Sequence, residues 1–323
     1  MMPRRVVALG EALVEIMRPG PDQPLDTPGS FDGPFVSGAP AIFACACARL
    51  GTPAALAGTV GDDPFGRLIL RQAVRDGLDA RHVATDPRRP TGCAFVAYRS
   101  DGRRDFVFHV RDAAAGVVDP AGPPAQLLAG VAWLHVCGST LALSDDWRAV
   151  ALRAARLARE GGARVSFDPN VRAELLGGRS VPEVCGPLLR LADTVLPSGT
   201  EATLLTGEPG AEAGCLRLLE FGADLVVLKR GALGATAYTG ASSYDVEAVR
   251  VEEVDATGAG DVFAAALASA LLSGMAVPAA TRYACAAGAL AVTRRGPLEG
   301  APTRQQLRAV LNGAKCGGTP DLS

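Results

Sequence analysis

The chain of 323 residues has almost no lysine. Only Lys229 and Lys315 occur, so the other 30 of its 32 basic residues are arginine. Aromatics make up 5% of the residues, and there are three histidines. Neither charge sign dominates: the formal net charge is −2, which leaves no global field to draw nucleic acid or an anionic membrane to the surface. CxxC pairs are missing, and the eight cysteines (45, 47, 93, 137, 185, 215, 285 and 316) lack zinc-like spacing. The N-terminus has no secretory core, because Glu11 interrupts the short apolar run and a signal needs roughly 7–15 such residues. The cysteines are therefore expected to be reduced, mostly buried small hydrophobes, and the protein to be soluble and cytoplasmic.

A long hydrophobic run is also missing, although one stretch imitates it. Val262 to Ala280 carries no charge over nineteen residues, close to the ~20 that span a bilayer. It is mostly alanine, interrupted by Ser269, Ser273, Gly274 and Pro278, and it reads as a buried core helix.

What is present is globular: 48% hydrophobic and 20% charged residues, with a length that suggests about two structural units at ~150 residues each. Residues 4–10 read as a strand, and so do 12–16. Glycine and proline crowd 19–40, marking loop or edge strand. Residues 41–50 read as a buried helix stopped by Gly51, followed by a strand at 54–58 and a helix ending near Leu78. Residues 91–110 form two alternating, aromatic-rich runs around Ser100-Asp101-Gly102, a hairpin signal. From residue 130 strands and helices alternate regularly, which predicts a largely parallel sheet covered on both faces. The expected division is a main α/β/α unit of residues 1–10, 37–90 and 113–323, and a small β-sheet lid of residues 11–36 and 91–112.

The segment richest in chemistry is Val254-Asp255-Ala256-Thr257-Gly258-Ala259-Gly260-Asp261, read as joining a strand to the uncharged helix. Gly258 and Gly260 let the backbone turn tightly and approach a ligand, and the helix start offers unpaired N–H groups to an anion. Two roles are open to Asp261, capping the helix or accepting a proton. An anion hole beside a carboxylate suits phosphoryl transfer to a hydroxyl. Walker A and GxGxxG patterns are both absent here.

This segment resembles the D-T-x-G-A-G-D signature of the ribokinase-like (PfkB) carbohydrate kinases. Gly10-Glu11-Ala12-Leu13-Val14-Glu15 looks like their opening strand, and Gly38-Ala39-Pro40-Ala41 like their glycine motif near the sugar. Val60 to Gly66 is similar to their G-x-D-x-x-G loop, and Asp168-Pro169-Asn170-Val171-Arg172 to the DPNxR of fructokinases and 2-keto-3-deoxygluconate kinases. Lys229-Arg230-Gly231 and Ala291 to Gly296 resemble nucleotide-side and cation-side segments.

The resemblance implies the ribokinase fold, a three-layer α/β/α domain with a mostly parallel sheet and a β-sheet lid, and a transferase that phosphorylates a sugar hydroxyl with ATP and Mg2+. It places Asp261 as general base and the backbone of Gly258, Ala259 and Gly260 as anion hole. Ser198, Glu201, Lys229, Gly231 and Cys285 fall on the nucleotide side, with Glu201 acting on magnesium indirectly. Glu15, Gly38, Ala39, Ile42, Arg111, Asp168 and Arg172 fall on the substrate side. Asp255, Thr257, Ala291 and Gly296 fall where relatives hold a monovalent cation such as K+. Lys229 read alone is equally an exposed strand-end lysine, and the three histidines read as packing or surface residues.

Departures concern the substrate. Ile42 stands where many relatives have Asn, Glu15 where they have Asp, Ser198 where the N-x-x-E motif has Asn, and Cys285 at a position often Asn. Ile42 and the pair Arg111/Arg172 point to an acidic deoxy-sugar such as 2-keto-3-deoxygluconate, with fructose as the near alternative. A nucleoside kinase using Phe31, Phe35, Phe43, Phe106 and Phe108 for stacking, and a catalytically silent sugar sensor, are the other readings. By analogy the lid, carrying Phe106 and Phe108, is expected to make a homodimer.

Overall fold

The computed structural model describes residues 5–123 and 125–315. Arg4, read as strand, and Cys316 lie outside these residues. The chain opens with β1 (Arg5–Leu9), β2 (Leu13–Pro21), β3 (Asp32–Ser37), α1 (Ala39–Arg49), β4 (Ala54–Gly61), α2 (Pro64–Asp76) and β5 (Asp79–Asp86). The hairpin of β6 (Gly92–Tyr98) and β7 (Arg104–His109) follows. The alternating stretch then runs α3 (Ala125–Leu128), β8 (Val131–Cys137), α4 (Gly138–Leu143), α5 (Asp145–Glu160), β9 (Arg164–Asp168), α6 (Val181–Leu189), β10 (Thr194–Val195), α7 (Glu201–Thr206) and α8 (Ala211–Glu220). It closes with β11 (Leu225–Lys229), β12 (Ala235–Thr239), β13 (Ser243–Val246), α9 (Ala259–Leu272), α10 (Val277–Ala291) and α11 (Arg304–Lys315).

Nine strands form one sheet in the order β13-β12-β11-β10-β9-β8-β1-β4-β5. Its strands are parallel from β11 to β5, and β12 and β13 are added antiparallel at one edge. Alternate side chains of each strand face opposite helical layers. Val6 and Ala8 pack with α1, α9 and α10, whereas Val7 and Leu9 pack with α5, α6 and α8. Both faces are dry, which is why the strands read as continuous apolar runs. The chain leaves β1 toward β4 on one side and returns to β8 on the other, so a crevice opens at the carboxyl ends of β1 and β8. A separate sheet, β3-β2-β6-β7, is built from the two segments expected to form a lid.

Several sequence expectations shift. The uncharged stretch is two helices, because Ser273 ends α9 and Gly274 adopts a left-handed φ of 88° before α10 begins. Among the described residues no helix is long and apolar enough to cross a membrane. Residues 247–254 join no ladder, so α9 is entered from an extended loop and not from a strand. That helix also begins three residues earlier than Val262, at Ala259. The edge strand β5 escaped the sequence reading because its DARHVATD is half polar and only partly buried. The seven described cysteines are all free, six of them buried, and no His/Cys/Asp/Glu cluster among the described residues could hold a metal.

Asp63 ties the two sheets together. Its Oδ1 accepts from the N–H groups of Phe65 and Gly66 and from the Thr91 hydroxyl, and its Oδ2 from the Thr91 N–H at 2.7 Å. Burial works to raise its pKa, but these donors outweigh burial and hold the carboxyl below its ordinary value. Asp63→Ala removes the α2 cap and leaves the Thr91 N–H unpaired, so urea unfolding at neutral pH is expected to show a loss of about 2–3 kcal/mol. Because the folded pKa is depressed, the bonus is present above the ordinary carboxylate value and fades as pH falls through the folded one, where mutant and parent should converge.

Candidate active site

The carboxyl edge of the large sheet supplies one residue after another to a single cavity of about 230 Å³. Glu11 follows β1, Ser139 follows β8, Asp168 ends β9, Ser198 follows β10 and Lys229 ends β11. The mouth of α9 closes the floor with Gly258, Gly260 and Asp261, and the lid sheet roofs it with Glu15, Arg104, Phe106 and Phe108.

Gly258 is required where it stands. Its φ is 78°, and a Cβ there would sit 2.0 Å from the Pro297 carbonyl oxygen. The left-handed turn starts α9 at Ala259. The N–H groups of Gly260 and Asp261 have no protein acceptor among the described residues, whereas the Ala259 N–H turns back to Ala256 O at 3.4 Å. Of the three residues expected to form the anion hole, Gly258 and Gly260 line the cavity with Asp261 beside them, and Ala259 is not part of the cavity wall. A Cβ at Gly260 would lie 3.4 Å from Lys229 Nζ, so the ammonium faces the same floor.

Lys229 is not an exposed strand end: its side chain is only 10% exposed and pairs with Asp168 Oδ2. Burial alone would lower its pKa, but Asp168, Glu201 and Asp261 outweigh burial and keep the ammonium charged. Desolvation pushes the Asp261 carboxyl well above the ordinary range and the charge of Asp168 adds to this, while Lys229 and Arg172 pull the other way. Burial, followed by repulsion from Asp168, also raises Glu201. The Glu201 oxygens accept from the N–H groups of Val171 (2.8 Å) and Ser198 (2.7 Å), clamping two loops. Asp168 Oδ1 accepts from the Asn170 N–H at 3.2 Å, with Asn170 held at a left-handed φ of 35°.

On the lid side, Glu15 accepts the Ser37 hydroxyl with one oxygen at 2.7 Å, and its other oxygen is buried without a partner. Burial raises its pKa to about 7. Gly38, Ala39 and Ile42 line the wall beside it. Arg104 and Arg172 each place the guanidinium 5.6 Å from the centre of the Phe106 ring, and neither forms an ion pair among the described residues.

Some expected residues lie elsewhere. Arg111 is outside this cavity, donating to the carbonyls of Leu175 and Ala142 as a brace in the neighbouring groove. Its presumed partnership with Arg172 belongs instead to Arg104, which nothing local singled out among 30 arginines. Gly231 lies in the turn after β11, and Cys285 is buried in α10; neither lines the cavity. Asp255 and Gly296 do meet: Asp255 Oδ2 accepts the Gly296 N–H at 2.9 Å, and Oδ1 accepts the Thr257 N–H at 3.0 Å. Ala291 ends α10 beside Val292, whose carbonyl accepts the Val254 and Asp255 N–H groups. Of the five phenylalanines considered for stacking, only Phe106 and Phe108 reach the cavity; Phe43 stacks on His135 in the core and Phe31 lies under Arg18. Sequence reading gave no role to Glu11, although it is the carboxylate of the opening Gly-Glu; it accepts the hydroxyls of Ser139 (2.7 Å) and Thr140 (2.6 Å).

The sequence profile of the pfkB family carbohydrate kinases matches residues 5–304. The chain belongs to that family. It is 32% identical over 280 residues to the 2-dehydro-3-deoxygluconokinase of Bacillus subtilis, covering 86% of each chain. A putative ribokinase II from E. coli, solved with ATP and Mg2+, superposes with a TM-score of 0.88 at 38% identity, covering 95% of this chain and 99% of that one. The fructokinase of Vibrio cholerae O395, solved with fructose, ADP and calcium, superposes with a TM-score of 0.83 at 31% identity, covering 94% and 98%. The protein is therefore a sugar kinase with the ribokinase-like fold.

Proposed function

We propose that this kinase transfers the terminal phosphoryl group of ATP to a hydroxyl of a sugar acid of the 2-keto-3-deoxygluconate type. Two unpaired guanidiniums in one cavity carry the substrate reading. Arg104 and Arg172 flank Phe106 without a carboxylate partner among the described residues, and a planar carboxylate is what such a pair binds well. Ile42, which lines the same cavity, suits a carbon that bears no hydroxyl. Fructose is the alternative, supported by the fructose-bound relative. The stacked rings of Phe106 and Phe108, 5.2 Å apart, are the one feature that favours a nucleoside.

In this reading Asp261 accepts the proton as the sugar oxygen attacks phosphorus, and the bond from phosphorus to the bridging oxygen breaks to leave ADP. The N–H groups at the mouth of α9 and the Lys229 ammonium stabilise charge on the transferred group. Glu201 and Ser198 fit hydrated magnesium, since the carboxylate is fixed by two N–H donors and both residues line the cavity; the ion would supply charge neutralisation on the phosphates when bound. A monovalent cation fits less well. The Asp255 carboxylate already takes three protein donors, the third being the Tyr98 hydroxyl.

The homodimer proposed for the lid uses its outer face. Phe106 and Phe108 turn inward, so the outward residues are Phe31, Phe95, Val107 and His109, with Val107 43% exposed. The free, mostly buried cysteines support a cytoplasmic location.

A panel of 2-keto-3-deoxygluconate, fructose, ribose, tagatose and adenosine, read by ADP release, is expected to give its highest kcat/KM with the sugar acid; fructose or adenosine leading would overturn the substrate reading. Asp261→Asn should lower kcat by roughly 10²–10⁴-fold with little change in ATP affinity. The base works deprotonated, so kcat should rise with pH along an acid limb lying above the ordinary aspartate range. In Lys229→Gln the lost positive charge should move that limb higher still; an unmoved limb would separate Lys229 from the base.

A further inference from the structure

One hydroxyl of the lid reaches past the cavity to the loop that makes the anion hole. Tyr98 ends β6, and its Oη lies 2.8 Å from Asp255 Oδ1 and 2.8 Å from Thr257 Oγ1. Arg104 Nη1 is 3.4 Å from the same Thr257 oxygen. Tyr98 Oη also lies 3.6 Å from Met17 Sδ within the lid, but the Asp255 carboxylate at 2.8 Å can only accept, and this orders the chain. Arg104 has no lone pair and donates to Thr257; the Thr257 hydroxyl donates to Tyr98; the Tyr98 hydroxyl donates to the Asp255 carboxylate. Asp255 in turn fixes the Thr257 and Gly296 N–H groups, and Thr257 immediately precedes the left-handed Gly258. Arg295 reinforces the contact: it lies 5.9 Å from the Tyr98 ring and pairs with Asp32 of β3 at 2.7 Å. Tyr98 itself does not line the cavity.

We propose that Tyr98 is a positioning residue that sets the anion hole only while the lid sheet lies across the cavity. Rotation of the lid away from the 255–257 loop breaks both Tyr98 bonds to that loop at once, and the turn carrying Gly258 then loses one of the three donors on Asp255. Substrate held by Arg104 favours the closed arrangement, because the same guanidinium is the first donor of the relay. The phosphate-holding N–H groups are therefore fully ordered when the sugar is in place, which disfavours transfer to water. This part rests on the reading of the cavity as a sugar kinase site.

Tyr98→Phe keeps the ring and deletes the hydroxyl. We expect kcat with the best sugar to fall by about 10- to 100-fold, the size of one hydrogen bond to a charged acceptor, with KM for ATP unchanged. Thr257→Val should give a similar fall, and the double variant should be no slower than the slower single one, since both cut the same chain. Additive losses, or a Tyr98→Phe enzyme with parental kcat, would overturn the proposal. Hydrogen exchange of the unliganded protein gives an answer that needs no turnover. Amides of 255–262 should exchange faster in Tyr98→Phe than in the parent while those of β8 and β9 do not, and equal rates at 255–262 would also overturn it. A parent protein inactive on every sugar would sink the functional reading and leave the exchange result to decide the role of Tyr98.

Discussion

Three carboxylates, those of Asp168, Glu201 and Asp261, converge on one edge of the large sheet, where burial and the charge of Asp168 raise the pKa values of Glu201 and Asp261. Lys229 stands among them. Its ammonium is buried and paired with Asp168, a geometry in which removing one partner costs far more than the pair contributes to stability. Its place is explained by charge at the site and not by folding. It pairs with Asp168, which also accepts the Asn170 N–H in the DPN turn, and its charge works against the rise in the pKa of Asp261, the group we propose as the base. The N–H groups at the mouth of α9 then face a floor that carries positive charge beside a proton acceptor.

The fold puts these groups together by strand order. Because β1 lies between β4 and β8, the loops that follow β1 and β8 diverge, and Glu11 bridges the gap by accepting the hydroxyls of Ser139 and Thr140. From there β9, β10 and β11 present Asp168, Ser198 and Lys229 in turn. The lid brings Arg104 and the unpartnered Glu15 oxygen over this edge to meet Arg172, which follows β9, and in the proposed reading a polyhydroxyl, acidic ligand satisfies these polar groups. In the proposed reading, specificity resides in that roof and chemistry in the floor.

Much of the floor was legible in the sequence because its residues are bound to local patterns. The glycines around Asp261 announce a helix mouth, and Asp168 sits in a DPN turn that ends a strand. The roof was not legible. Arg104 is one arginine among 30, and its partnership with Arg172 arises only when β7 folds over β9. Arg111 looked equivalent in sequence and proved to brace main-chain carbonyls. Phe106 and Phe108 were offered both as stacking surface and as part of a dimerising lid; the pleat of β7 turns both toward the cavity and leaves Val107 outside. Element boundaries failed where polarity was mixed, as in β5, or where small residues hid a break, as at Ser273-Gly274.

The floor can be tested directly by a crystal structure of the kinase with its preferred sugar, magnesium, ADP and aluminium fluoride, which mimics the phosphoryl group in flight. The account predicts the fluoride group within about 3 Å of the Gly260 and Asp261 N–H groups, with the acceptor hydroxyl on the Asp261 carboxylate. A fluoride group held elsewhere, with Asp261 turned away from the sugar, would contradict it.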